Sequence, residues 1–270
     1  MPADFYETPE HELFRETARK FAEEQLAPRA REFDEMGRMD KGLFRMMGDL
    51  DMLGLRYDPK WGGAGLDWSF TTVLFEEIAR CDNAGVTMAS SVHTDMATPS
   101  LHDFGSDELR QRFLVPSIKG EMVGAIAVTE PDAGSDVAGI KTRAVRDGDS
   151  WVINGSKIYI TNAAIADWMC VLAVSDPEAG YGGFSQIIVP TDSQGFSYQL
   201  LDKIGNRGSD TGQLFFEDVR VPVANTIGEI GRGFQQQMQQ FQDERLIACI
   251  MANAGAEILW EETKRYCEER

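Results

Sequence analysis

The segment AVTEPDAGSD at residues 127–136 combines three acidic side chains with a proline, a glycine and a serine. These residue types could form a metal site, a phosphate-binding loop or a turn between two strands. The acids lack the D-x-[DN]-x-[DN]-G spacing of a calcium loop. Pro131 favours a chain reversal, whereas the small residues Gly134 and Ser135 would let an anionic or carbonyl-bearing ligand approach the backbone N–H groups. The residues alone favour the turn and leave a ligand-binding loop as the alternative.

Other reactive patterns in this sequence are weak. The GGAG at 62–65 lacks the strand and helix context of a dinucleotide-binding loop, and no G-x-x-x-x-G-K-[ST] motif is present. No nucleophile elbow supports a Ser/His/Asp triad, so His93 is predicted to pack or hydrogen-bond inside a helical region. A zinc site is disfavoured because the cysteines never occur as C-x-x-C. They are Cys81, Cys170, Cys249 and Cys267.

The composition excludes several classes of protein. Apolar residues make up 43% and charged residues 26% of the 270, which is typical of a globular protein. The net charge of −18 argues against nucleic-acid binding, because phosphate contacts need clustered Lys and Arg. The N-terminal MPADFYETPE lacks the apolar core of a signal peptide, and no apolar run approaches the roughly 20 residues of a membrane helix. A cytoplasmic protein without nucleic-acid or membrane partners is expected.

The first 118 residues are predicted to be helical. Thr8 is a good N-cap with Pro9 at the first helical position, and Pro28 should end or bend that helix. A second helix should follow Asp40, and a third should follow the glycine loop WGGAGLDWS at 61–69. A further short helix is predicted to start at a Ser106 cap and to end near Pro116.

From Met122 onward, the spacing of the apolar residues changes from that of helices to that of β-strands. Short apolar or alternating segments follow up to about residue 225, with Asp147-Gly148 and Asn154-Gly155 between them as predicted turns. This pattern predicts a small β-barrel or sandwich.

Residues 232–270 contain no proline and predict one long helix, which could not bury its own apolar stripe. The stripe consists of Phe234, Met238, Phe241, Ile247, Met251 and Ile258. The predicted fold class is α+β, with an N-terminal helical domain over 1–120, a middle β-domain over 121–226 and the first helix of a C-terminal bundle over 227–270.

Three long motifs resemble the acyl-CoA dehydrogenase family. They are VTEPDAGSDVAGIKT (128–142), INGSKIYITNAAIADW (153–168) and IGNRGSDTGQLFFEDVRVP (204–222). They occur in family order and spacing, and the resemblance covers residues 8–270. It implies the three domains described above and a C-terminal bundle that continues beyond the given residues.

The resemblance also implies FAD as the cofactor. Thr129 would hydrogen-bond the flavin ring, and Gly134 and Ser135 would line the pyrophosphate and thioester region. Tyr159, at a position where many relatives have tryptophan, would lie against the isoalloxazine, with Thr161 near N5. The neighbouring residues Ile126, Val128 and Ile160 are included in this predicted cofactor site.

The family reaction is α,β-dehydrogenation of an acyl-CoA, with a carboxylate as the base. Most relatives carry that base near the end of the chain, but the long-chain and isovaleryl types place a glutamate directly before an arginine on a long helix. FQDERLIA matches this pattern and assigns the base to Glu244, whose alternative interpretation is a solvated surface glutamate. Predicted substrate contacts are Ser135, Phe234, Gln242, Asp243 and Arg245, and Gln242 departs from the aspartate of many relatives.

The resemblance also implies partners. An acyl-CoA of medium, long or methyl-branched chain, as in fatty acid β-oxidation, would be the substrate, and an electron-transfer flavoprotein would be the electron acceptor. A homo-oligomer, either dimer or tetramer, is expected, and no metal site is predicted. The alternatives are a catalytically incomplete chain that needs a partner, and a flavin oxidase or monooxygenase on the same fold.

Overall fold

The computed structural model describes residues 8–270. Residues 1–7, which contain most of the segment used to argue against a signal peptide and the start of the predicted first domain, lie outside the described residues. Within the described range, no helix combines the length and the apolar character that a bilayer-crossing segment requires.

The N-terminal region is helical up to Ile118. Its helices are α1 (Pro9–Phe21), α2 (Ala30–Met36), α3 (Gly42–Asp49), α4 (Trp68–Ile78), α5 (Ala84–Ser91), α6 (Pro99–Phe104), α7 (Asp107–Leu109) and α8 (Val115–Ile118). Pro9 occupies the first turn of α1, as predicted, and the N–H of Thr8 donates to His11 Nδ1 at 3.1 Å. Pro28 lies in a short 3₁₀ turn, Ala27–Arg29, that bends the chain into α2.

The predicted Ser106 cap is confirmed, because its hydroxyl accepts the Leu109 N–H at 3.2 Å, and helical structure ends at Ile118, close to the predicted end near Pro116. Pro116 is tolerated because it lies in the first turn of α8. The helices α2, α5 and α6 were not predicted, and the small residues of α5 show why: AGVTMASS gives no apolar stripe of helical period.

The middle region is one seven-stranded sheet with the order β1-β4-β2-β3-β7-β6, and β5 pairs with β4. The strands are β1 (Gly124–Ala127), β2 (Arg143–Asp147), β3 (Ser150–Thr161), β4 (Trp168–Val174), β5 (Phe184–Pro190), β6 (Phe196–Leu200) and β7 (Thr211–Pro222). Buried side chains such as Trp151, Met169 and Phe216 form its core. The predicted α+β fold class is confirmed.

One of the two predicted turns in this region is wrong. Asp147-Gly148 does lead the reversal between β2 and β3, but Asn154-Gly155 lies inside β3 at an irregularity of its pairing with β7. Asn154 Nδ2 donates to the Asp218 carboxylate at 2.9 Å, and its Oδ1 accepts the Asp218 N–H at 2.9 Å. This pairing between distant residues holds the dipeptide in the strand.

The last helix, α9 (Gly233–Glu268), confirms the predicted long helix and spans about 54 Å. Its buried face differs from the predicted apolar stripe, of which only Ile247 is buried. The buried positions are Gly233, Gln236, Gln237, Gln240, Ile247 and Ala254. Glutamines therefore form much of the contact between the first half of α9 and the rest of the molecule, whereas Leu259 and Trp260 in the second half are exposed.

Candidate active site

The AVTEPDAGSD segment is a tight turn at the end of β1, held by its first acid. The backbone of Glu130 pairs with that of Ala133 in both directions, through N–H···O distances of 2.8 and 3.1 Å. The buried Glu130 carboxylate accepts hydrogen bonds from the backbone N–H groups of Lys141 at 2.6 Å and Thr142 at 2.9 Å. It also accepts one from Lys157 Nζ at 2.8 Å. Glu130 therefore fixes the shape of the loop, and the loop's next residues are free for another role.

Glu130 and Lys157 each offset the effect of burial on the other's pKa. Burial alone would raise the pKa of Glu130, but the charge and hydrogen bond of Lys157, together with the two backbone donors, leave that pKa lowered. Burial lowers the pKa of Lys157 to about 8 against the opposing effect of Glu130. With the pKa of Glu130 lowered and that of Lys157 at about 8, both groups are charged at neutral pH.

The end of β1 lies directly against β3 and brings together the residues predicted to hold the flavin ring. The carbonyl of Val128 accepts from Lys157 Nζ at 2.8 Å, and the carbonyl of Thr129 accepts the N–H of Ile158 at 2.9 Å. Tyr159, the next residue, has a φ of 61° and is 69% exposed. A left-handed φ is uncommon for an aromatic residue, and here it coincides with a bulge in β3 that interrupts its pairing with β7.

The other predicted cofactor residues surround this edge. Ile160 and Val128 are buried, Ile126 and Thr161 are half-buried, and all four lie on β1, β3 or the segment directly after β1. Val128 and Ile126 pack in one apolar cluster with Phe184. Ile160 packs instead in the core of the sheet with Leu214, and the neighbouring Tyr159 is exposed.

The loop at Gly134 and Ser135 fits a phosphate-bearing group. Both residues are exposed, and a Cβ added at Gly134 would meet no atom within 4 Å. Within residues 8–270, the backbone N–H groups of these two residues donate no hydrogen bond. Free N–H donors suit phosphate oxygens, and the exposed Tyr159 ring suits an aromatic ring system. The chemistry of this donor set therefore fits a flavin nucleotide.

A cleft of about 490 Å³ separates this loop from α9 and contains the predicted base. Gly134, Ser135 and Val137 line one side, and Glu244 and Arg245 line the other. The remaining lining residues are Met96, Phe241 and Ala248. The structure thus brings Ser135 to the same cleft as Glu244 and Arg245, which lie more than 100 residues further along the sequence.

Glu244 lies in a partly desolvated position without a close cationic partner. One carboxylate oxygen, Oε1, accepts from Gln240 Nε2 at 2.9 Å and from Gln237 Nε2 at 3.2 Å. Burial raises the pKa of Glu244 to about 7, against the smaller opposing effects of the two amides and Arg245. A carboxylate that titrates near neutral pH can remove a proton from a weak carbon acid and release it again.

The other predicted substrate residues occupy different surroundings. Gln242 is exposed and is not among the residues that line the cleft. Asp243 is half-buried and lies 3.4 Å from Arg56, whose guanidinium is stacked over Trp68 at 3.7 Å. Arg245 is exposed, with its guanidinium 5.9 Å from the centre of the Phe241 ring.

Phe234 lies about three turns from Glu244 toward the N-terminus of α9, beside a second cavity of about 470 Å³. Its ring is 4.7 Å from that of Tyr181 and 5.5 Å from that of Phe184, and both of these line the cavity. The same cavity exposes Lys141 and Arg143, two cations that were not predicted to bind a ligand. The available signal in the sequence was two basic residues close together just after the ligand loop, Lys141 before β2 and Arg143 at its first position.

Within residues 8–270, no group of three or more His, Cys, Asp or Glu side chains has metal-binding geometry. His93 is buried and accepts the Gly124 N–H at 3.0 Å, which agrees with its predicted packing role.

Two family models match most of the chain. Residues 8–121 match "Acyl-CoA dehydrogenase, N-terminal domain", and residues 125–219 match "Acyl-CoA dehydrogenase, middle domain". The boundary between the two matches falls in the short connection between α8 and β1.

Curated relatives extend the match into α9. The chain is 37% identical over 264 residues to the mitochondrial long-chain specific acyl-CoA dehydrogenase of Sus scrofa, a match that covers 97% of this chain and 61% of the relative. It is 39% identical over 269 residues to the short-chain specific acyl-CoA dehydrogenase of Clostridium acetobutylicum, with 99% and 70% covered. The chain therefore spans less than two thirds of the length of the long-chain relative.

Solved structures share the fold. An acyl-CoA dehydrogenase from Geobacillus kaustophilus gives a TM-score of 0.94 at 36% identity, covering 98% of this chain and 70% of that one. A glutaryl-CoA dehydrogenase from Mycobacterium smegmatis in complex with FADH2 gives 0.91 at 28% identity, covering 100% and 68%.

Proposed function

Since the chain belongs to the acyl-CoA dehydrogenase family, we propose that it acts in the flavin-dependent α,β-dehydrogenation of an acyl-CoA thioester, with Glu244 as the base. The product would be the trans-2-enoyl-CoA. The observation that carries the proposal is the position of Glu244, which faces Ser135 across the cleft and has a pKa of about 7. A solvated surface glutamate would keep an ordinary pKa and would line no cleft.

The cofactor in this proposal is FAD, which supplies the hydride acceptor when it is bound. Gly134 and Ser135 would hold phosphate oxygens through their free N–H groups, and Tyr159 would cover the flavin ring. Thr129 and Thr161 would provide polar contacts at the edge of the ring. Ile126 and Val128 would form an apolar surface beside it, and Ile160, buried in the sheet core, would contribute through its backbone.

Glu244 would remove the α-proton of the substrate. With a pKa of about 7, the carboxylate is ionised in a large fraction of molecules at neutral pH and remains basic enough to accept the proton. The apolar surroundings of Phe241, Met96 and Ala248 would exclude water from the reacting carbon. Arg245 at the mouth of the same cleft would hold an anionic part of the ligand.

The CoA moiety would extend along α9 from Glu244 toward Phe234. These residues are ten positions apart, about 15 Å along the helix axis. Lys141 and Arg143 in the second cavity would neutralise phosphates, while Tyr181 and Phe234 offer aromatic surface to the adenine. Gln242 and Asp243 would make peripheral contacts.

An electron-transfer flavoprotein is proposed as the electron acceptor, and fatty acid β-oxidation as the setting, on the basis of the family alone. The same basis supports a homo-oligomer, a dimer or tetramer. The second half of α9 exposes apolar side chains such as Leu259 and Trp260. Helices that cover them would belong to this assembly or to further chain.

The test is the variant Glu244→Gln in the FAD-loaded protein. Flavin reduction by acyl-CoA, followed anaerobically by absorbance, should slow by about 10²- to 10⁴-fold while flavin binding is retained. The matched control is Glu257→Gln, because Glu257 is an exposed glutamate on the same helix. A reduction rate of Glu244→Gln equal to that of the control would refute Glu244 as the base.

A further inference from the structure

The carboxylate of Glu244 is held on one side only. Both hydrogen bonds that it accepts from Gln237 and Gln240 end on Oε1. Within residues 8–270, Oε2 accepts no hydrogen bond. A carboxylate with one oxygen tied and the other free has a defined orientation and one available acceptor.

Each of the two amides is itself oriented by a partner on a different part of the molecule. Gln186 on β5 donates through Nε2 to Gln237 Oε1 at 3.0 Å, which directs the Gln237 NH₂ group toward Glu244. Gln186, Gln237 and Glu244 are therefore joined by two consecutive hydrogen bonds, and both glutamines are fully buried. The middle sheet therefore determines which end of Gln237 faces the carboxylate.

Gln240 is oriented from the helical region. Its Oε1 accepts a hydrogen bond from Ser100 Oγ, and its Nε2 donates to the carbonyl of Met96 as well as to Glu244. Ser100 and Gln240 are both nearly fully buried. Since Met96 also lines the cleft, this amide connects the wall of the cleft to the base.

We propose that Gln237 and Gln240 are positioning residues that fix Oε1 of Glu244 and present Oε2 to the substrate. The inference rests on the proposed function of Glu244. Neutral amides suit this task because they orient a carboxylate without the charge that would make it a weak base. The sheet would orient Gln237 through Gln186, and the helical region would orient Gln240 through Ser100. The Glu244 carboxylate would therefore be held in one orientation only when α9 packs correctly against both regions.

Three other ionisable groups lie near the Glu244 carboxylate. Asp243 and Arg245 neighbour it on α9, and Cys170 lies on β4 close enough for its pKa to respond to Glu244. None of these groups donates a hydrogen bond to Oε1 in the described structure. A change at the two glutamines therefore tests orientation without altering these charges.

The experiment replaces the amides by methionine, which keeps the length of the side chain. The variants are Gln237→Met, Gln240→Met and the double variant, all in the FAD-loaded protein. The control is Gln239→Met, because Gln239 is exposed on the same helix and does not contact Glu244. Bound-flavin absorbance and thermal unfolding verify the fold, and Gln240→Met alone carries the test if the double variant does not fold.

The first measurement is the titration of the Glu244 carboxyl group by difference infrared spectroscopy, assigned against Glu244→Gln. Loss of both amides should raise its midpoint by about one pH unit, because hydrogen bonds to the charged form are removed. This readout does not depend on turnover. An unchanged midpoint in the double variant would overturn the proposed contact.

The second measurement is flavin reduction at saturating acyl-CoA on the alkaline plateau, where Glu244 is ionised in every variant. The double variant should be slower by about tenfold, with little change in KM, because only the chemical step needs the aligned carboxylate. In a Glu244→Gln background, Gln240→Met should cause no further loss. A plateau rate equal to that of the control would overturn the positioning role.

Failure of the proposed function gives a different result. If Glu244→Gln itself reduces flavin at the normal rate, Glu244 is not the base, whatever the glutamine variants do to its titration. If Glu244→Gln is slow and the glutamine variants behave as the control, the base stands and the positioning role is wrong.

Discussion

Glu130 and Glu244 are two carboxylates removed from bulk water in the two regions that face each other across the cleft, and their pKa values shift in opposite directions. Glu130 lies after β1 with Lys157 Nζ at 2.8 Å, and its pKa is lowered. Glu244 lies on α9 with neutral amides as its hydrogen-bond partners, and its pKa rises to about 7. Burial acts in the same direction on both, so the difference comes from the partners.

The comparison separates a structural carboxylate from a chemically active one. A buried cation and two backbone donors keep Glu130 ionised and fix the loop that carries Gly134 and Ser135. Amides hold Glu244 in place but leave it able to gain a proton near neutral pH. The sheet side of the cleft is thus built for rigidity, and the helix side for proton transfer.

Removing the cation from Glu130 should have the largest effect on stability. Lys157→Met should lower the free energy of unfolding by about 3–5 kcal/mol, because it leaves a buried carboxylate without its counter-charge. Denaturant unfolding measures the change. The control Lys141→Met removes an exposed lysine of the same loop and should cost less than about 1 kcal/mol. Equal effects of the two variants would contradict the structural role of the pair.

The pH dependence of stability should have opposite signs for the two carboxylates. The folded-state pKa of Glu244, about 7, lies above its usual value, so the folded protein binds more protons and this group's contribution to stability falls between about pH 4.5 and 7. Glu130, with its lowered pKa, contributes stability that is present above its unfolded pKa and lost as the pH falls through its folded pKa.

Denaturant unfolding of Glu244→Gln at several pH values tests this difference. Relative to the wild type, the variant should become more stable by about 2–3 kcal/mol between pH 4.5 and 7, since it has no carboxylate to ionise. Glu130→Gln should show the opposite trend, losing stability relative to the wild type as the pH rises. A pH-independent difference for Glu244→Gln would show that its carboxylate has an ordinary pKa.

The substitution Gly155→Ala tests how closely the residues around Glu130 are packed. A Cβ at this position would lie 2.5 Å from Thr142 Oγ1, and its φ of 149° is unfavourable for other residues. Because the N–H of Thr142 donates to Glu130, Gly155→Ala should push one donor away from the carboxylate. We expect a loss of about 1–3 kcal/mol of unfolding free energy. A neutral substitution would indicate that β3 can relax without disturbing Glu130.

Much of the framework was predictable because it depends on local pattern. Thr8 and Pro9 mark the start of α1, and the proline-free stretch after residue 232 predicts α9. The motif resemblance predicted the cofactor loop and Glu244, which the structure places on opposite sides of one cleft. The roles of these residues stay predictions until they are measured.

The rest depends on contacts between distant residues. In the sequence, Glu130 is only one of several acids in a predicted turn. Its role could not be predicted, because its partner Lys157 lies 27 residues further along the chain. Gln237 and Gln240 are polar residues beside an apolar stripe, and such a pattern predicts exposure. Their burial is decided by Gln186 and Ser100, on segments whose position no periodicity reveals.

The substitution Gly134→Ala should cause the smallest change in stability and still weaken FAD binding. A methyl group there meets no atom within 4 Å, and its φ is not left-handed, so Gly134→Ala should change the free energy of unfolding by less than about 0.5 kcal/mol. If the loop receives phosphate oxygens at close range, the same methyl group should weaken FAD binding, measured by flavin release during dialysis or titration. Gly155→Ala, by comparison, should affect stability first and FAD only through the damaged loop. Normal FAD affinity in Gly134→Ala would mean that the ligand does not approach this backbone closely, and would confine the cofactor contacts to the edge around Thr129 and Tyr159.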